Sequence, residues 1–178
     1  ALTARSITSS FMQVPEASNS PVGNAQGISR ADADLRHFKD FDVFIFTMGV
    51  SFAPEGQAVR FHSVEENVWA LRTITQSIRS ANPNMHIVYS VSPVPLNRSF
   101  SVDTPAVLAD CVSKSTLRVA IDSYIREAPE CVYYWPSFEI VRWLYPHVAP
   151  SYGLDDGLAR HVNAGLVGLI VEKFLDHF

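Results

Sequence analysis

The chain has 178 residues, of which 47% are hydrophobic and 18% are charged, and its formal net charge is −4. This length and composition fit a single globular domain. The net negative charge and the lack of any lysine or arginine run argue against nucleic acid or anionic lipid as the main partner. No apolar run approaches the roughly 20 residues that a membrane-spanning helix needs.

The two cysteines, Cys111 and Cys131, do not have the spacing of metal ligands. We expect both to be small buried apolar residues in a reducing compartment, which indicates the cytoplasm; a disulfide between them is the alternative. The sequence starts at Ala1 without an initiator methionine or a signal-peptide hydrophobic region. We therefore expect a soluble protein that is either a trimmed chain or part of a longer one.

The first 27 residues are rich in Ser, Thr, Asn and Pro and show no periodicity, so residues 1–27 are predicted to form an irregular arm. Residues 28–178 are predicted to form a single α/β domain. It would begin with a short helix over residues 28–38, capped by Ser29.

Residues 42–46 are a continuous run of apolar β-forming residues, which predicts a strand buried on both faces, and a turn follows at residues 47–49. Ser63 and Glu66 have the spacing of a capping box. They open a helix with an apolar face, which ends at Asn82-Pro83-Asn84.

Residues 86–91 predict a second strand. A second long helix is expected to start near Asp103-Thr104-Pro105 and to run to Pro129, with a break considered near Ser113. Residues 131–135 predict a third strand, and Asn163 can cap a last helix.

Strands that alternate with helices in this way predict a parallel sheet with helices on both faces. The expected fold is a three-layer α/β/α domain. Three strands make a reduced sheet, since sheets commonly have about five or six strands. Either the N-terminal arm supplies a further strand, or strands are missing from the chain.

In open parallel sheets, ligands bind beyond the carboxyl ends of the strands. This rule selects residues 47–52, 92–98 and 136–139, and the loop of residues 155–161 enters the last helix from the same edge. At this edge, Asp156 and His161 could form an acid–base pair. The residues predicted to bind the oxyanion or the substrate are Gly49, Ser51, Ser92, Lys114, Ser137 and Glu139.

Each candidate also has a structural interpretation. Gly49 could be a turn residue, Ser137 and Glu139 could cap the next segment, and Lys114 could be a solvated lysine between two serines. His161 could be a surface or capping histidine. The sequence contains no HExxH, CxxC, glycine-rich phosphate loop or G-x-S-x-G motif, so no metal or other cofactor is expected.

Several segments together resemble the GSCFA domain family, over roughly residues 40 to 178. The segments are Phe46-Thr47-Met48-Gly49, Val91-Ser92-Pro93-Val94-Pro95-Leu96, Ser113-Lys114-Ser115-Thr116-Leu117-Arg118, Tyr134-Trp135-Pro136-Ser137-Phe138-Glu139-Ile140, and Asp156-Gly157 with Arg160-His161-Val162. That family is similar to the SGNH/GDSL hydrolases, which are esterases and acyltransferases that often act on carbohydrates. The resemblance implies that the three-layer fold is of the SGNH-hydrolase (flavodoxin-like) type.

The resemblance implies that His161 is the catalytic base, Asp156 its acid, and Gly49 an oxyanion donor. Ser51 stands where many SGNH enzymes have an asparagine donor, and Leu158 stands where their acid usually is, three residues before the histidine. The family's Gly-Ser-Cys-Phe-Ala block, whose serine matches the SGNH nucleophile, is absent from the sequence. The resemblance therefore implies either the C-terminal part of a longer GSCFA protein or a variant that has lost the block.

The implied function is therefore an ester hydrolase or acyltransferase domain for a carbohydrate or another hydroxylated substrate, inactive without the serine block. One alternative is a non-catalytic module that binds a glycan or a partner. Another is a structural subunit whose open sheet edge pairs with another chain or with the missing N-terminal segment.

Overall fold

The computed structural model describes residues 39–55, 58–97, 104–127, 130–153 and 157–178. The predicted arm over residues 1–27, the predicted helix over residues 28–38 and Asp156 lie outside these ranges. The elements in chain order are β1 (Val43–Met48), β2 (Phe52–Glu55), β3 (Ala58–Phe61), α1 (Val64–Ala81), β4 (His86–Val91), α2 (Ala106–Glu127), β5 (Val132–Trp135), α3 (Ser137–Glu139) and α4 (Ala164–His177). A π-helical turn (Ile140–Leu144) and a 3-10 turn (Tyr145–His147) follow α3 directly.

The main sheet is parallel and has the strand order β1-β4-β5. Val43 lies opposite His86, and Ile87 lies opposite Val132. The central strand β4 is buried from Ile87 to Val91, as expected for a strand covered on both faces. The prediction of an α/β fold with a parallel sheet is confirmed, and the three predicted strands are the three strands of this sheet.

Helices cover both faces of the sheet. On one face, α1 and α2 pack against the strands in a core that includes Leu71, Tyr89 and Leu117. On the other face, α4 packs against β5, where the Trp135 and Phe174 rings meet edge to face with centroids 5.2 Å apart. Among the described residues, no helix is long and apolar enough to cross a membrane.

Several details differ from the predictions. Strand β1 was predicted to be buried on both faces, but none of its residues is fully buried and Ile45 is 43% exposed. The antiparallel β2–β3 hairpin was not predicted. Helix α2 continues without a break through Ser113, whose buried hydroxyl accepts a hydrogen bond from outside the helix. The cysteines are not buried: Cys111 is exposed and Cys131 is half-buried, and both are free thiols.

The capping box of α1 is confirmed in detail. The Glu66 N–H donates to Ser63 Oγ at 3.2 Å, and the Ser63 N–H donates to Glu66 Oε2 at 2.8 Å. Replacing Ser63 with alanine should therefore lower the free energy of unfolding by about 1 kcal/mol, because one helix N–H loses its acceptor. Urea denaturation measures the change. Ser80→Ala, near the other end of α1, is the control and should cost less; an equal loss would contradict the capping argument.

Candidate active site at the carboxyl edge of the sheet

One turn of α2 holds together the loops that leave β1 and β4. Asp110, Ser113 and Lys114 are spaced three and four residues apart, so they lie on the same face of the helix. All three are buried, with exposed fractions of 4%, 0% and 3%. Their polar atoms bond to backbone groups of these loops, and we call the three residues the α2 anchor.

The loop after β1 is held at two points. Lys114 Nζ donates to the Gly49 carbonyl at 2.6 Å, and the Ser51 N–H donates to Ser113 Oγ at 2.6 Å. The Ser51 hydroxyl is also engaged, because it donates to the His62 carbonyl at 3.1 Å and accepts from Asn67 Nδ2 at 2.9 Å. The two predicted oxyanion residues therefore lie together, with the N–H of Ser51 bonded inside the protein.

Lys114 is a buried cation, so the alternative interpretation of this residue as a solvated lysine does not hold. Burial lowers its pKa to about 8, because the low-polarity surroundings disfavour the ammonium. The Asp110 carboxylate opposes this shift, and the Arg142 guanidinium adds to it. Lys114 therefore titrates closer to neutral pH than a surface lysine does.

Asp110 connects the β4 exit to the helical segment after β5. Its Oδ1 accepts the Leu96 N–H at 3.1 Å, and its Oδ2 accepts from Arg142 Nη2 at 2.7 Å. Arg142 Nε donates to the Pro93 carbonyl at 2.9 Å. Sequence reasoning missed both Asp110 and Arg142. The one available signal was the position of Asp110, one helical turn before Lys114.

Glu139 is held by two residues of neighbouring elements. Its Oε1 lies 2.7 Å from Arg118 Nε, and its Oε2 accepts from the Tyr134 hydroxyl at 2.7 Å. The Arg118 guanidinium lies over the Tyr134 ring, 4.3 Å from its centroid. Burial, together with the bond to Glu139, raises the pKa of Tyr134. Both carboxylate oxygens of Glu139 are thus engaged within the protein.

Ser92 and Ser137 lie beyond the ends of β4 and β5. Ser92 Oγ accepts the Val94 N–H at 3.3 Å. Ser137 Oγ lies 2.5 Å from Ser90 Oγ and donates to the Val91 carbonyl at 3.3 Å. Each of these hydroxyls thus binds a neighbouring group of the same sheet edge.

The His161 segment is tied to the same edge through Tyr152. Tyr152 pairs with Val162 in an antiparallel bridge, and its hydroxyl donates to the Pro93 carbonyl at 3.0 Å. The His161 N–H donates to the Leu158 carbonyl, and its own carbonyl accepts from Gly153, both at 2.9 Å. The backbone of His161 is therefore fixed near the β4 exit, whereas Asp156 lies outside the described residues.

Asn163 starts α4 directly after this segment, as predicted. Its Oδ1 accepts the Leu166 N–H at 2.7 Å, and its Nδ2 donates to the Pro150 carbonyl at 2.8 Å. Within the described ranges, no group of three or more His, Cys, Asp or Glu side chains could hold a metal ion.

The sequence model of the GSCFA family matches residues 24–174. No curated protein matches the chain. Among solved structures, a family two carbohydrate esterase from Clostridium thermocellum in complex with cellohexaose is similar, with 16% identity and a TM-score of 0.42. The match covers 79% of this chain and 36% of the esterase chain, so this chain spans about a third of that protein's length.

Proposed function

Because the chain belongs to the GSCFA family, we propose that it forms part of an SGNH-like esterase or acyltransferase that acts on a carbohydrate or another hydroxylated substrate. The observation that carries the proposal is the convergence of family-matched segments at one edge. The α2 anchor holds the β1 and β4 exits, and Tyr152, which pairs with Val162 next to His161, bonds to the β4 exit at Pro93.

The proposed reaction is acyl transfer through a serine. The His161 imidazole takes the proton of the serine hydroxyl as its oxygen attacks the ester carbon, and Asp156 orients the ring. The Gly49 N–H stabilises the oxyanion of the tetrahedral intermediate. His161 then gives the proton to the departing alcohol, leaving an acyl-serine. Water or an acceptor hydroxyl removes the acyl group in a second step.

We propose that the nucleophilic serine comes from a segment that lies beside β1. The hydroxyls described at this edge are already bonded to other groups: Ser51, Ser90, Ser92, Ser113 and Ser137. Ile45, in the middle of β1, shares a sheet face with fully buried Val88 yet is 43% exposed. An additional segment packed beside β1 would cover the Ile45 side chain.

The test compares the 178-residue chain with the complete product of its natural gene. We expect the chain alone to hydrolyse p-nitrophenyl acetate no faster than buffer, and the complete product to hydrolyse it. His161→Ala should abolish hydrolysis, whereas His177→Ala, near the end of α4, is the matched control. Hydrolysis by the chain alone that depends on His161 would contradict the proposed source of the serine.

A non-catalytic binding module is the second candidate. The engagement of the described serine hydroxyls within the protein favours it, because a nucleophile needs a free hydroxyl beside its base. A fluorophosphonate probe that labels the complete gene product would favour the enzyme. Binding on a glycan array without such labelling would favour the module.

A further inference from the structure

We propose that Lys114 is a positioning residue that orients the peptide between Gly49 and Val50, so that the N–H groups of Gly49 and Val50 form the oxyanion donor pair. That the group bound by these two N–H donors is an oxyanion rests on the function proposed above. The held peptide itself is an independent structural feature and can be tested without turnover.

The geometry comes from two successive residues of α2. Lys114 Nζ binds the Gly49 carbonyl, and Ser113 Oγ binds the Ser51 N–H, so the loop is held on both sides of Val50. The Gly49 carbonyl and the Val50 N–H belong to one planar trans peptide and point in opposite directions. When the carbonyl is fixed on the buried ammonium, the Val50 N–H must point away from it.

The two N–H groups are available to a ligand. In the part of the chain that the structure describes, neither the Gly49 N–H nor the Val50 N–H makes a hydrogen bond, and both residues are exposed. A Cβ atom added at Gly49 would meet no atom within 4 Å, so the loop is not closely packed at this residue. Unpaired N–H groups on an exposed loop are donors that an oxyanion can use. The Ser51 N–H is already bonded to Ser113 and does not enter the pair.

The charge of Lys114 favours this role over simple packing. A buried ammonium is costly, and its nearby carboxylate Asp110 is shared with Arg142. An uncharged side chain would fill the same space without the free-energy cost of burying a charge. A cation on the Gly49 carbonyl polarises the peptide and places positive potential behind the Val50 N–H, which strengthens its bond to an anion.

The first test is an NMR titration of the isotope-labelled 178-residue chain. We expect the carbon resonance of the Gly49 carbonyl to move with the same pH midpoint as the Lys114 side-chain resonances. This measurement needs no variant. A Gly49 carbonyl that does not follow the Lys114 midpoint would overturn the proposal.

The second test adds acetate as an oxyanion probe at pH 7. In the wild type, the amide resonances of Gly49 and Val50 should shift more than other exposed amides. Lys114→Met should lose most of this shift, Lys114→Arg should retain it, and Lys173→Met, on α4, should not change it. Equal shifts in the wild type and Lys114→Met, or shifts spread over unrelated amides, would contradict the donor pair.

In the complete gene product, Lys114→Met should lower kcat for p-nitrophenyl acetate by roughly tenfold or more, with KM changed little, because oxyanion donors act in the transition state. Unchanged kcat would refute the positioning role even if the NMR result stood. If the complete product has no esterase activity, the proposed function fails, and the two NMR titrations still decide whether Lys114 holds the peptide.

Discussion

Asp110→Ala should lower the free energy of unfolding by about 3 kcal/mol, the lower end of the cost of removing one partner from a buried ion pair, because the Arg142 side chain is 26% exposed. The Asp110 side chain is 5% exposed and lies 2.7 Å from the Arg142 guanidinium. Its removal leaves Arg142 without its carboxylate, leaves the Leu96 N–H without its acceptor, and takes away the negative charge that favours protonated Lys114. Urea denaturation followed by tryptophan fluorescence measures the loss.

The matched control is Asp122→Ala in the same helix. Asp122 pairs with Arg126 one turn later, but the pair lies at the surface, where such pairs contribute about 0–1 kcal/mol. We therefore expect a loss several times smaller than at Asp110. If both variants lost less than 1 kcal/mol, the α2 anchor would not be a principal stabilising feature of this edge.

The second large effect is a pH dependence that comes from Lys114. Its pKa is lowered from 10.5 to about 8 in the folded chain. Between these values, the unfolded chain binds more protons than the folded chain, so the lysine's contribution to stability rises with pH. Each pH unit contributes about 1.4 kcal/mol, and wild type should gain about 3 kcal/mol relative to Lys114→Met between pH 8 and pH 10.5.

The measurement is a series of urea denaturation curves for both proteins across this pH range. Taking the difference removes the titration of other groups that the two proteins share. Lys173→Met is the control, since Lys173 is exposed and the Asp176 carboxylate raises its pKa. The free energy of unfolding of the wild type should not rise with pH relative to that of Lys173→Met. If the difference in free energy of unfolding between wild type and Lys114→Met stayed constant over this pH range, Lys114 would not have the lowered pKa.

The parts of the fold that could be predicted from the sequence are those set by local signals. The apolar run that contains Phe44 and Ile45 identified β1, and Ser63 with Glu66 fixed the start of α1. The β2–β3 hairpin was missed because its first strand contains Pro54, which argues against a strand. Proline is tolerated there because this separate sheet has only two strands among the described residues.

The candidate site could be predicted only as a location. The rule for parallel sheets selected the edge at which the structure brings Gly49, Ser51 and Lys114 together. The bonds of Lys114 and Asp110 could not be predicted, because their partners are distant in sequence. Lys114 and Gly49 are 65 residues apart, and Asp110 and Arg142 are 32 apart. A lysine between two serines shows no local sign that it is buried.

Because of the α2 anchor, the positions of the loops at this edge depend on which side of α2 faces them. Asp110, Ser113 and Lys114 reach backbone groups of two loops and, through Arg142, a third segment. An insertion of one residue in α2 ahead of Asp110 would turn all three side chains by about 100°. A change of length within α2 next to Asp110 would therefore disturb the bonds to all of these segments at once.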